Sequence, residues 1–189
     1  MSAKDPVFRA CYRSSCDACR LALLTTVLLA GPAAAQGGFA VLPGERSVVE
    51  DLIDFEARKP NIDLTLEIEH SYQGRNLVAE GKTFTIAART ERVAYLVLLN
   101  VDEDGTVTVL YPLTAEEMSP TAYIKETFRA VPPFGAEVLK LVAFRHRPHG
   151  MEDFLGQRLD ALDPRLLDLY SLLRDGDGQA WLEVMSEEE

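Results

Sequence analysis

From Ala94 to Pro112 the chain reads AYLVLLNVDEDGTVTVLYP, two apolar runs that meet at an acidic turn closed by a glycine. Val, Leu, Tyr and Thr dominate both arms, and Asp104-Gly105 supplies residues that tolerate the positive φ of a tight turn, so the stretch predicts a β-hairpin. In its first arm Tyr95, Val97, Leu99 and Val101 alternate with Ala94, Leu96 and Leu98. Both faces of that strand are apolar, which predicts burial on both sides.

Around this hairpin the polarity pattern predicts further strands. Ile62, Leu64, Leu66 and Ile68 alternate with Asp63, Thr65, Glu67 and Glu69, a strand with one wet face. Leu77 to Ala79 predicts a short strand, and a second alternating run passes through Phe84, Ile86 and Ala88. After an irregular acidic segment from Leu113 to Glu126 come two more runs, Thr127 to Val131, stopped by Pro132-Pro133, and Val138 to Arg145.

Helical spacing appears twice. Ser47 and Glu50 form a capping box ahead of Val48, Val49, Leu52, Ile53 and Phe55, with Lys59-Pro60 as the stop. Late in the chain Met151, Phe154, Leu155, Leu159 and Leu162 recur at helical spacing. Asp163-Pro164 then opens a second helix with Leu166, Leu167, Tyr170 and Leu173 inward. Asp175-Gly176-Asp177-Gly178 is a turn, and Ala180, Leu182 and Val184 alternate with Trp181, Glu183 and Met185 in a closing strand that must return to the sheet to satisfy its backbone. The expected fold is mainly β, an antiparallel β-sandwich-like domain with a short N-terminal helix and a helix pair inserted before the last strand.

The N-terminus changes this picture. Arg9, Arg13 and Arg20 precede the uncharged run Leu21 to Ala30, followed by Gly31-Pro32 and Ala33-Ala34-Ala35. This order reads as a secretory signal peptide over residues 1–35, whose apolar run from Leu21 to Ala30 is too short to span a bilayer, which takes about 20 apolar residues. Residues 36–46 read as a flexible leader and 47–189 as a single β-rich domain. All three cysteines, Cys11, Cys16 and Cys19, precede the expected cut, so the CxxC at Cys16 and Cys19 is not read as a redox or metal motif. The exported product is expected to be periplasmic or secreted, without direct membrane insertion.

The formal charge is −11 over 189 residues, and residues 1–35 carry more Lys and Arg than Asp and Glu, so the remainder is more acidic still. Such a surface repels phosphate backbones, which argues against a nucleic-acid partner.

Candidate chemistry is sparse. Asn100-x-Asp102-x-Asp104-Gly105 has the first half of a calcium loop, but the twelfth position is Tyr111 where a carboxylate must grip the ion, so the motif reads as a hairpin turn. His146 and His149 flank Arg147-Pro148 with Glu152 beyond. The proline prevents a regular helix from aligning them, so no metal site is assigned. His70 ends a strand without a companion. No serine stands in a Gly-x-Ser-x-Gly elbow and no phosphate-binding glycine loop occurs. No catalytic residue and no cofactor are assigned.

From Gly81 to Pro148 the chain resembles the bacterial domain of unknown function 4384 family. The resemblance rests on Gly81 with Thr83 to Ala88, on Ala94-Tyr95-Leu96, Asn100-Val101-Asp102, Asp104-Gly105 and Val107 to Pro112, and on Pro133-Phe134-Gly135 leading into Val138 to Phe144. It implies a β-rich module of exported or multidomain bacterial proteins, with no catalytic residue to carry over; this chain would be a stand-alone exported version. The expectation is a non-catalytic binding or protein-interaction module of the cell envelope, its partner a protein or envelope ligand, with Tyr72, Tyr123 and Trp181 as candidate interaction residues. The alternative is a small envelope hydrolase built on Glu67, Glu69, Asp102 or His146.

Overall fold

The computed structural model describes residues 47–69, 76–131 and 134–187, all within one compact unit. The expected signal peptide and leader, the CxxC, His70, Tyr72 and Pro132-Pro133 lie outside the described residues.

The elements, in order, are α1 (Val48–Asp54), β1 (Leu64–Glu69), β2 (Leu77–Ala79), β3 (Thr83–Val101), β4 (Val107–Tyr111), β5 (Thr121–Arg129), β6 (Ala136–Phe144), a 3-10 turn (Met151–Asp153), β7 (Arg158–Leu159), α2 (Arg165–Arg174) and β8 (Gly178–Glu187). The protein is mainly β, with two short helices. α1 starts as its sequence dictates: Glu50 donates its backbone N–H to Ser47 Oγ at 3.1 Å while its carboxylate accepts the Ser47 N–H at 3.0 Å.

β3 organises everything else. Its 19 residues run without interruption through what the alternation predicts as two strands. Its first half is flanked by β1 and β5, both antiparallel. Its second half joins a second sheet ordered β2-β8-β6-β3-β4-β7. The changeover falls at Thr90 to Val93, where the register against β5 jumps from Arg89↔Tyr123 to Ala94↔Thr121. This polar bulge re-aims the strand from one sheet to the other. Among the described strands β2 alone runs parallel to its neighbour, with Leu77 beside Met185 of β8, which makes the second sheet mixed.

The double-sided hairpin strand divides two cores. Ala94, Leu96 and Leu98 face an inner layer between the sheets, with Ile68, Ile86, Ile124, Leu139, Leu141 and Val184. Val97, Leu99 and Val101 face an outer layer roofed by α1, α2 and the 3-10 turn, through Leu52, Phe55, Leu166, Leu169 and Leu173. The closing strand returns as expected, pairing along β6 from Gly178↔Ala143 to Met185↔Ala136.

Other expectations also differ from the structure. The first helix of the expected late pair is only the 3-10 turn: Gly150 (φ 88°) and Gly156 (φ 61°) take left-handed conformations on either side. Gln157 O then accepts the Val109 N–H, and Leu159 pairs with Val107 as β7. Leu162, the last member of that helical pattern, is 95% exposed. In α2 it is Leu169, not Leu167, that joins Leu166 and Leu173 inside. Finally, β5 begins at Thr121, within the segment expected to be irregular, directly after Ser119-Pro120.

Candidate functional site

The hairpin turn is built on a web of acids. Thr106 donates its N–H to Asp102 Oδ1 at 2.8 Å and to Asp104 Oδ1 at 3.2 Å, and its hydroxyl to Asp104 Oδ1 at 2.7 Å. Arg158 of β7 reaches Asp102 Oδ2 at 3.4 Å. Gly105, at φ 80°, closes the turn against Ala161 and Val49. Asn100 instead hydrogen-bonds Glu137 on β6, whose carboxyl is pushed up by burial and also accepts from Ser186. The residues of the half calcium loop are thus spent on hydrogen bonds within the protein. Millimolar calcium is therefore expected to leave the melting temperature unchanged, and a calcium-dependent rise in a thermal melt would contradict this geometry.

The residues named for a hydrolase lie on separate elements. Glu67 and Glu69 stand on the outer face of the first sheet, beside Arg89 (3.9 Å) and Lys125 respectively. Asp102 is in the hairpin turn. His146 lies beyond the end of β6, in an open cleft of about 470 Å³ against α2 and the turn before β8. His149, Ser171, Asp175 and Asp177 line the same cleft. Both carboxylates of the cleft are engaged: Asp175 accepts from Arg58 at 2.6 Å, and Asp177 accepts the Arg145 backbone N–H at 2.8 Å. Among the described residues no three His, Cys, Asp or Glu side chains are grouped to hold a metal ion.

Of the candidate interaction residues, Tyr123 and Trp181 do not meet. Tyr123 is exposed on the outer face of the first sheet, under the Arg89 guanidinium at 5.4 Å. Trp181 is on the second sheet, opposite Lys140 of β6 and on the helix side. It is 59% exposed, and Met185, four residues on and on the same face, is 50% exposed. Because Val78 lines the inner core, its neighbour Leu77 points outward beside Met185. Trp181, Met185 and Leu77 thus form an apolar strip on β8 and β2, with Glu183 between the first two.

Beside the strip, on β6, lies a buried charge. Lys140 is 1% exposed; its Nζ donates to Ile53 O at 2.5 Å and Phe55 O at 2.9 Å and stands 3.7 Å from the centre of the Phe55 ring. These are the carbonyls left unpaired where α1 ends, so the ammonium caps the helix at its negative end. Burial lowers the Lys140 pKa to about 8, partly offset by Asp54 and Glu56.

No protein-family model matches the chain, and no curated protein matches it. Among solved structures it is similar to the Reelin-N domain of F-spondin, at 13% identity and a TM-score of 0.34 over 56% of this chain and 91% of that one. It is also similar to a chitin binding domain from Burkholderia pseudomallei, at 9% identity and a TM-score of 0.29 over 60% of this chain and 57% of that one. These scores are too low to carry the neighbours' properties over to this chain.

Sequence reasoning missed both the Met185–Leu77 half of the strip and Lys140. Alternation along β8 put Trp181 and Met185 on one face, but only the parallel pairing with β2 brings Leu77 to them. Asp175 and Asp177, read as turn residues, join the histidines because β8 begins beside the end of β6, where Gly178 pairs with Ala143.

Proposed function

We propose that this chain is an exported, non-catalytic binding module of the bacterial cell envelope that takes a protein partner through the outer face of β8. The observation that carries the reading is the exposed pair Trp181 and Met185, with half-buried Leu77 beside them, on a sheet whose large core side chains are roofed by helices or buried between the sheets. Large exposed aromatic and methionine side chains on a rigid strand contribute strongly to binding when a partner buries them. The acidic chain, and Glu183 within the strip, suit a partner whose apolar contact is rimmed by Lys and Arg. Export is supported by the Arg-flanked apolar run before Ala33-Ala34-Ala35, and the modular character by the resemblance to the domain of unknown function 4384 family. The dispersal of Glu67, Glu69, Asp102 and His146 favours this reading over a hydrolase.

The test is retention of a partner from periplasmic extract on the immobilised protein, compared with Trp181→Ala and with Tyr123→Ala as a control on the other sheet. Trp181→Ala is expected to weaken retention about tenfold or more, as a central aromatic contact does, and Tyr123→Ala to leave it unchanged. Because Trp181 is exposed, the fold should survive its loss, as a far-UV spectrum would show. Equal retention by wild type and Trp181→Ala would overturn the assignment of the face. A hydrolytic activity lost in His146→Ala would overturn the non-catalytic reading.

A further inference from the structure

The hairpin turn holds two carboxyls but only one strong set of donors. The single Thr106 N–H faces Asp102 Oδ1 and Asp104 Oδ1 together, and the Thr106 hydroxyl adds a second bond to Asp104 alone. Asp104 is therefore the better-held anion. The Asp102 side chain is only 14% exposed, and among the described residues its cationic partner is Arg158 at 3.4 Å. Two neighbouring carboxylates, one of them largely buried, resist ionising together.

We propose that Asp102 and Asp104 hold a single proton between them, and that its presence or absence sets how firmly the segment 155–162 is clasped to the hairpin.

With the proton on Asp102, its hydroxyl donates to Asp104 and the turn is closed by hydrogen bonds alone. Burial, with Asp104 beside it, pushes Asp102 up to about 7, while the hydrogen bonds from Asp102 and Thr106 bring Asp104 down to about 2. Ionising Asp102 replaces that bond with repulsion, which Arg158 offsets only in part.

The turn is where three elements meet. Arg158 is in β7, whose pairing with β4 (Val107↔Leu159, Thr108↔Arg158) fixes the segment 155–162. Gly105 packs on Ala161 from that segment and on Val49 of α1, so these two elements bring apolar groups to the turn. β6 brings Val138, the register partner of Val101, with Glu137 one residue further and engaged by Asn100 and Ser186. Glu103 lies against Gly135. The charged groups that act on Asp102 are thus Asp104 and Arg158.

The sign follows from linkage. Asp102 is raised above its unfolded value, so its contribution to stability is fully present below about pH 4 and is lost as the pH rises through about 7; Asp104, lowered, contributes above its unfolded value and loses that as the pH falls toward 2. The clasp is expected to be tight in mild acid and loosened above neutrality.

The experiment is a carbon-detected NMR titration of the side-chain carboxyls in the full chain, paired with amide exchange of Thr106 and Leu159 at pH 6 and 8, corrected for the intrinsic rate. Asp102 is expected to titrate within about one unit of 7. Protection at both amides should fall from pH 6 to 8 in the wild type and stay constant in Asp102→Asn, which mimics the protonated form. An Asp102 carboxyl that titrates near 4 would overturn the proposal, and so would identical exchange behaviour in the two proteins. The wild-type titration decides the matter even if the variant folds poorly.

Discussion

Replacing Leu98 with Ala is expected to destabilise the protein by about 2–5 kcal/mol, from lost burial and the cavity left behind. Leu98 is wholly inaccessible, on the inner face of β3 between its register partners Leu141 of β6 and Tyr111 of β4. Leu110→Ala, in the same layer, should fall in the same range. A domain of this size is stable by about 5–15 kcal/mol, so either change removes much of the margin. Urea titration reads the loss, and values below about 1 kcal/mol at both sites would contradict the two-core arrangement.

The second large effect is at Lys140. Lys140→Met keeps most of the apolar stem but removes both donors from Ile53 O and Phe55 O, and a buried acceptor left unmatched costs about 1–3 kcal/mol. Lys140→Ala should cost more, because it adds a cavity under α1. A pH signature separates this residue from an ordinary core position. Its pKa in the fold is about 8, below the 10.5 of an exposed lysine, so between these values the unfolded chain holds more protons than the native one and stability rises with pH. That contribution is fully present above the unfolded value and is lost as the pH falls through about 8. The wild type should therefore gain on Lys140→Met as the pH is raised from 8 to 10. Parallel curves over that range would show that the ammonium is not desolvated as the geometry requires.

Local chemistry in the sequence foretold what is local in the structure. The Ser47–Glu50 box, the Asp104-Gly105 turn and the two faces of Ala94 to Val101 all depend on neighbours a few residues away, and all are found where the pattern puts them. What failed depends on distant partners. Met151 to Leu162 has helical spacing, yet Gly156 breaks it and β4 captures Leu159, an interaction that periodicity cannot encode. β5 carries Lys125 and Glu126 because it pairs only with β3 and has one wet face, so its pattern looks like loop. Lys140 in VLKLVAF reads as an interruption; its acceptors lie 85 and 87 residues upstream. The strip around Trp181 was half visible, since alternation shows a strand's faces but not the strand beside it.

The length of β3 has a mechanical consequence. One continuous strand supplies the central member of the first sheet and an interior member of the second, so neither sheet can detach without breaking a backbone that the other also holds. The bulge at Thr90 to Val93 interrupts its β5 pairing between Arg89 and Ala94. The two halves should consequently melt as one cooperative unit, and the slowest-exchanging amides should run along the same strand on both sides of that bulge.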